Sequence, residues 1–444
     1  MLNYDWRDLD ARTYMTDVYD YWIREFGIDG YRFDVYWGVH RKYCENNMGI
    51  PVRTSLKHIK ADVLLLGEDD GTGVGTEVLY ADQNGGLDAS YDFALYFNAI
   101  RNFNFTSSSV NTLHSQISNN GFYPGENSYF LRFMESQDED RISYIYNSFE
   151  KTMPVSTVIF TAPGMPMMYN GQEVGYGKGI TTGLDARRRG IINWDFAGKD
   201  LLTPHYQRIA QIRSQFTAFS QHKLDTNGDG QVNSSDESDF DRITTTDGIV
   251  YTFLRPFNDS NGLTVANFSS TSKTVTMDLT TANLKFTGGF NQGSMYWVNN
   301  LYSDTSSQVL GSELASFNVT LPAYGSAVFT ISTEEQSVIL PPIPPIVSID
   351  DENFSLPEEY KLFQNYPNPF NPNTTIRYSI TKPDLVRIKI YDILGREVKI
   401  LVNELKQAGT YEVQFSASGF ASGIYLYRIE SGKYVQTRKM ILLK

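Results

Sequence analysis

The chain has 444 residues, 41% of them hydrophobic and 20% charged, a globular balance with enough length for two to four domains. A net charge of −13 and a pI near 4.9 leave no basic face for nucleic acid or an anionic membrane. The single cysteine, Cys44, excludes an internal disulfide, and no apolar run reaches the length of a membrane span. Aromatic residues make up 14%, which suits large cores in β-rich domains or sugar-stacking platforms; composition does not choose between them.

Residues 8–26 predict an amphipathic helix, with Met15, Val18, Tyr19, Trp22, Ile23 and Phe26 at helical spacing. Asp8 or Asp10 suits its cap, and Gly27 a left-handed stop. A strand follows over Gly30-Tyr31-Arg32-Phe33-Asp34-Val35. Period-two alternation puts Tyr31, Phe33 and Val35 on one face and Arg32 and Asp34 on the other. A buried guanidinium and carboxylate must be paired. On the residues alone, this reads as an ion pair holding a strand end or as part of a site.

Further short strands are predicted at 62–68, ending in Glu68, at 86–92, at 130–134 and at 165–171. Helices are predicted at 142–160 and 204–219. Asp34, Glu68 and Asp138 each follow an apolar run. Acidic residues at the carboxyl ends of successive parallel strands are the way a barrel active site is built.

Beyond residue 220, Thr, Ser, Asn and Gly increase and the strands shorten: 249–254, 263–268, 274–279, 316–321 and 326–331. This pattern predicts an antiparallel β-sandwich. Residues 333–356 hold Leu340-Pro341-Pro342-Ile343-Pro344-Pro345-Ile346, a stiff polyproline-like linker. Residues 357–444 alternate again, at Ile376/Tyr378/Ile380, Val386/Ile388/Ile390 and Tyr411/Val413/Phe415. The expected domains are therefore 1–219, α/β; 220–332, β-sandwich; 333–356, linker; and 357–444, all-β.

The stretch from Asp225 to Asp236 has calcium-loop spacing. Oxygen ligands fall at Asp225, Asn227 and Asp229, glycine at Gly230, then Gln231 and a carboxylate at Asp236. It reads as a structural calcium site at the junction or as a polar turn.

These residues carry a resemblance. Residues 1 to about 332 resemble the α-amylase family of retaining glycoside hydrolases. Gly30-Tyr31-Arg32-Phe33-Asp34 is similar to the family's fourth-strand motif, and Leu66-Gly67-Glu68 to its fifth. Phe133-Met134-Glu135-Ser136-Gln137-Asp138 is similar to its seventh, which usually ends Asn-His-Asp. Residues 162–173, Ala-Pro-Gly-Met-Pro-Met-Met-Tyr-Asn-Gly-Gln-Glu, are similar to its eighth strand and the turn after it. The implied fold is α/β plus all-β: a partial (β/α)8 TIM barrel (strands 4–8), a β-sandwich, and a second, Ig-like sandwich. The resemblance implies that Asp34 is the nucleophile, Glu68 the acid/base and Asp138 a stabilising carboxylate. Arg32, Gln137, Trp37 and Tyr169 would bind substrate, an α-glucan or oligosaccharide, although for Tyr169 and Trp194 packing is the competing reading. Arg187-Arg188-Arg189 reads equally as cleft lining or as a solvated charge run.

Residues 357–444 resemble the sorting domain read by the type IX secretion machinery, through Asn365-Tyr366-Pro367-Asn368-Pro369-Phe370-Asn371-Pro372 and Asp392-Ile393-Leu394-Gly395-Arg396. Export to the cell surface or medium is implied. The first residues show neither a basic n-region nor an apolar h-region, and the family's first three barrel strands have no counterpart. The expectation is a shortened or misassigned start with little activity in the chain as written; a partner that completes the barrel is the alternative. Gln137 in place of His, and Trp37-Gly38 where starch-active members often carry Lys-His, put the usual long-chain preference in question. An α-glucanotransferase and a non-catalytic carbohydrate-binding surface protein are the competing functions.

Overall fold

The computed structural model describes residues 5–36, 38, 47–68, 86–118, 129–180, 183–221, 239–339, 359–406, 409–432 and 434–443. They form two compact units, divided near residue 340, and each is described by itself.

The first unit opens with α1 (Leu9–Phe26). Asp8 caps it by accepting from the Ala11 N–H at 2.8 Å, and Gly27, at φ +64°, stops it in the left-handed conformation. Its expected apolar stripe is only partly used. Ile23 is buried, and Met15 and Tyr19 pack beside Phe33, Tyr36, Val52 and Leu65. Trp22 and Phe26 lie outward and stack on each other at 4.8 Å.

Five short strands follow: β1 (Gly30–Phe33), β2 (Leu64–Gly67), β3 (Ala89–Tyr91), β4 (Tyr129–Phe133) and β5 (Met165–Met167). They form one parallel sheet in the order β1-β2-β3-β4-β5. Sequential parallel order requires a crossover between neighbours. Between β1 and β2 this includes α2 (Gly49–Ile59), and between β3 and β4 α3 (Ser107–Ser118). Neither helix stood out in the sequence, because each is short and rich in Ser, Thr or β-branched residues.

The helix expected at 142–160 is two pieces, Ile142–Ile145 and α4 (Thr152–Thr161). Asn147 turns the chain at φ +48°, a conformation asparagine tolerates, and Ser148 Oγ receives the Lys151 N–H at 3.2 Å. Nearly all of α4 is buried, on every side. It packs against α6 below, β5, and two strands of the next sheet. A helix that is apolar all round belongs inside a fold. After β5 come α5 (Leu184–Arg189) and α6 (Lys199–Gln215), the latter beginning five residues before Pro204, where the sequence suggested its start.

The second layer is an antiparallel sheet in the order β11-β10-β13-β8-β7-β6, with a two-stranded partner, β12-β9. The strands are β6 (Asp241–Arg242), β7 (Val250–Arg255), β8 (Ser260–Asn267), β9 (Lys273–Met277), β10 (Met295–Asn300), β11 (Thr305–Leu310), β12 (Phe317–Leu321) and β13 (Ser326–Ser332). Its inner face is not separate from the parallel sheet. Tyr251, Phe253, Ala266 and Phe268 share one apolar core with Tyr91, Phe133, Val155 and Val158.

The second unit is two antiparallel sheets, β14-β15-β18 and β17-β16-β19-β20. Their strands are β14 (Lys361–Leu362), β15 (Asn373–Ile380), β16 (Asp384–Tyr391), β17 (Glu397–Lys406), β18 (Gly409–Ser416), β19 (Gly423–Ser431) and β20 (Tyr434–Leu442). Ile376, Ile388, Phe415, Tyr427 and Met440 fill the space between them. The motif at 365–370 is a staple. Buried Asn365 donates its side-chain amide to Pro367 O at 3.1 Å and Thr374 Oγ1 at 3.0 Å, while Asn368 Oδ1 accepts from the Ile441 N–H at 2.8 Å. Phe370 adds backbone bonds to Ile441 and Leu443, so the start of the unit is tied to its last strand.

Candidate functional site

β1 and β2 run side by side with Phe33 opposite Gly67, so the residues that follow each strand leave the sheet together. The strand ends at Phe33, two residues earlier than alternation suggested. Asp34 and Val35 form a turn, with Val35 at φ +48° and exposed rather than on a buried face. The turn has a partner that sets it: the Val35 N–H donates to Glu68 Oε2 at 2.9 Å. The backbones also cross-link, Tyr36 N to Glu68 O at 3.1 Å and Glu68 N to Phe33 O at 2.9 Å. A Cβ on Gly67 would lie 2.4 Å from Leu87 Cδ1, the mobile end of a side chain that would have to shift.

Arg32 joins the two acids. One prong of its guanidinium pairs with Asp34 Oδ1 and the other with Glu68 Oε1 at 2.9 Å. Burial works against its charge, but the Asp34 and Tyr91 hydrogen bonds and the Glu68 carboxylate outweigh burial and hold its pKa above the ordinary value. Tyr91, at the end of β3, lies with its ring centroid 5.8 Å from the guanidinium. Nothing in the amino-acid pattern singled out Tyr91, beyond its place at a strand end.

Gln137 and Asp138 follow β4, at the same edge of the sheet. Asp138 Oδ1 pairs with Arg189 and its Oδ2 accepts from Gln137 Nε2 at 2.7 Å. Among the described residues, no hydrogen bond or ion pair connects this pair to Asp34 or Glu68. Beneath it lies a buried pair that sequence reading missed. Arg141 Nη1 donates to Glu135 Oε1 at 2.8 Å, and Glu135 Oε2 accepts from the Ile142 N–H at 2.7 Å. Burial pushes the Glu135 carboxyl up, against the pull of Arg141 and the Ile142 N–H. The available signal was a glutamate embedded in the apolar run Phe130–Met134.

Tyr169, half-buried, is held at both its ring and its hydroxyl. The Arg141 guanidinium lies 4.2 Å from its ring centroid, and its hydroxyl donates to Arg188 O at 3.1 Å. Trp194 is half-exposed. Trp37 lies outside the described residues, as do all five proposed calcium ligands, Asp225, Asn227, Asp229, Gln231 and Asp236. Among the described residues no cluster of acidic, histidine or cysteine side chains could hold a metal ion. No described helix is long and apolar enough to cross a membrane.

Two family models match. The first covers residues 1–189 and describes the α-amylase catalytic domain; the second covers 364–443 and describes a secretion system C-terminal sorting domain. The latter indicates a secreted or cell-surface protein. Among individual proteins, the chain is 29% identical over 211 residues to a maltogenic α-amylase of Bacillus acidopullulyticus, covering 46% of this chain and 33% of that one. It is 27% identical over 220 residues to a cyclomaltodextrinase of Geobacillus thermopakistaniensis, covering 47% and 34%. These matched stretches span about a third of each relative's length. The crystal structure of an α-amylase from Geobacillus thermoleovorans, solved with acarbose, superposes with a TM-score of 0.58 at 18% identity. It covers 74% of this chain and 66% of that one, a likeness of fold.

Proposed function

We propose that residues 1–339 form the glycosidic-bond-cleaving part of a retaining, α-glucan-active hydrolase, built as strands 4–8 of a (β/α)8 barrel with its β-sandwich, and that the type IX secretion machinery exports it through residues 359–443. The observation that carries this reading is the meeting of Asp34 and Glu68 on one guanidinium, at the carboxyl ends of adjacent parallel strands. Acetal cleavage needs a proton on the leaving oxygen and a carboxylate against an oxocarbenium-like carbon. In the retaining scheme the two acids stand only ~5–5.5 Å apart. Sharing one side chain's donors is compatible with that spacing.

Asp34, three-quarters exposed and free to turn toward a ring, attacks the anomeric carbon. Glu68 protonates the leaving oxygen and then takes the proton from the incoming water. To carry that proton it releases the Arg32 prong, which leaves the guanidinium on Asp34 alone. Asp138 holds sugar hydroxyls and favours the distorted ring. α-Glucans and maltodextrins are the substrate class that the resemblance and the similar proteins suggest.

A glucanotransferase differs from this only in what accepts the glycosyl group. A carbohydrate-binding surface protein without catalysis is the reading favoured by Gln137, a neutral residue beside Asp138. Release of reducing sugar from soluble starch by the full-length protein, with the whole barrel present, abolished by Glu68→Gln, separates catalysis from binding. Retained sugar binding with no product in either protein overturns the hydrolase.

A further inference from the structure

Arg187-Arg188-Arg189 is a sequence feature that the hydrolase reading leaves without a role. The three residues end α5, and all three guanidiniums reach the loop after β4. Arg187 and Arg188 share Asp140 Oδ1, at 2.8–3.0 Å. This holds the Asp140 carboxyl below its ordinary range, although burial pushes the other way. Arg188 also donates to Asp138 O at 2.6 Å. Arg189 Nε donates to Gln137 O at 2.8 Å, and its Nη2 pairs with Asp138 Oδ1.

The helix is itself fixed from behind. Buried Arg141 donates to the carbonyls of Arg187 at 3.2 Å and Arg188 at 3.3 Å, and Tyr176 donates to Ala186 O at 3.0 Å. The run is more than a set of surface charges, since each of its guanidiniums is paired within one loop. It is a latch whose side chains grip one loop while its carbonyls are tied to the buried Glu135–Arg141 pair.

We infer that Arg189 is the positioning residue for Asp138, resting on the reading of Asp138 as the carboxylate that holds the sugar. A carboxylate on a loop samples several rotamers. Here Oδ1 is taken by Arg189 and Oδ2 by Gln137, from opposite sides, which leaves one orientation. The division of labour is specific. Gln137 supplies a neutral donor, and only Arg189 supplies charge at every working pH. The fork matters as well as the charge, because one guanidinium fixes both the loop backbone, at Gln137 O, and the side chain it carries. The Arg189–Asp138 pair is about half exposed, so it adds little to stability, and its loss is felt in geometry.

The test uses the full-length protein, with the whole barrel present, and initial rates on soluble starch and maltotriose. Arg189→Ala is expected to lower kcat by about 10²-fold, the cost of a carboxylate held out of place, with KM little changed. Its melting temperature should match the parent. Arg189→Lys, which keeps charge but loses the fork, should recover part of the rate, and added guanidinium ion should partly rescue Arg189→Ala but not Glu68→Gln. Wild-type kcat in Arg189→Ala overturns the inference, and so does a change confined to KM, which would make Arg189 a ground-state binding group. If Arg189→Ala does not fold, Arg189→Gln replaces it, and an unchanged kcat there is equally fatal. A parent protein as silent as Glu68→Gln on both substrates overturns the hydrolase reading, and this inference falls with it.

Discussion

At the β1–β2 end of the parallel sheet, Asp34 is 75% exposed and depends on a single guanidinium. At the β4–β5 end, Glu135 and Arg141 are each 1% exposed and bind one another, three backbone carbonyls and a backbone N–H. Both ends follow the same design, a carboxylate after a short strand. They differ in what surrounds it. A group that must change its bonding partner during a reaction needs a loose setting; a group that must hold a loop still needs a dense one. On the proposed reading, the contrast sets the exposed acid that would attack, Asp34, against a buried one that holds a loop, Glu135.

Two substitutions test that separation, and a pH series and a third substitution test other parts of the molecule, from the largest effect down. Glu68→Gln should reduce starch turnover by about 10²–10⁴-fold, the usual worth of a positioned acid/base, with no loss of thermal stability. A fall in melting temperature comparable to the loss of activity would erase the contrast. On the other side, Arg141→Ala strands a buried carboxylate and should cost on the order of 3–5 kcal/mol in denaturant unfolding. An Arg141→Ala protein as stable as the parent would show that the β4 end is not the rigid one.

A smaller effect comes from pH. His205 accepts or donates between Ser156 Oγ at 2.7 Å and Tyr302 Oη at 2.6 Å. Burial lowers its pKa from 6.5 to about 3, and that of His114 to about 4. Between these values and 6.5 the unfolded chain binds more protons than the folded one. Stability from these groups is therefore complete above about pH 6.5 and is lost as pH falls toward 4, on the order of 1–3 kcal/mol for each histidine. Melting temperatures that do not fall between pH 7 and 4 would contradict this. Smallest is Asn365→Ala, which removes three side-chain hydrogen bonds at a buried position and should destabilise the second unit by about 1–3 kcal/mol, read as an earlier unfolding step of that unit.

Much of this was legible from periodicity and terminal residues. Asp8 and Gly27 bracket α1 because capping is local chemistry. Four of the five parallel strands were found as apolar or alternating stretches with turn residues behind them; β3, Ala-Ser-Tyr, carries no such run. What escaped depends on partners distant in the chain. Val35 continues the alternation of β1, yet Glu68 captures its N–H and turns it out. Trp22 and Phe26 have the spacing of a buried stripe, but α1 packs through its neighbouring face. The arginines of α5 read as ambiguous because the acids that define them, Asp138 and Asp140, lie about fifty residues earlier. The candidate acids were legible because strand ends are positions a sequence can mark; the arginine partners of Asp138 and Asp140 were not.

The helix at 152–161, enclosed on every side, has a practical consequence for anyone dissecting the protein. Composition changes near residue 220, which invites expression of the parallel-sheet region without the antiparallel one. Such a fragment would leave one flank of that helix, and rings such as Phe103 that stack on Phe268 at 4.7 Å, facing water. Aggregation of the fragment would then report a severed interior, and would say nothing about whether the acids at the strand ends can work.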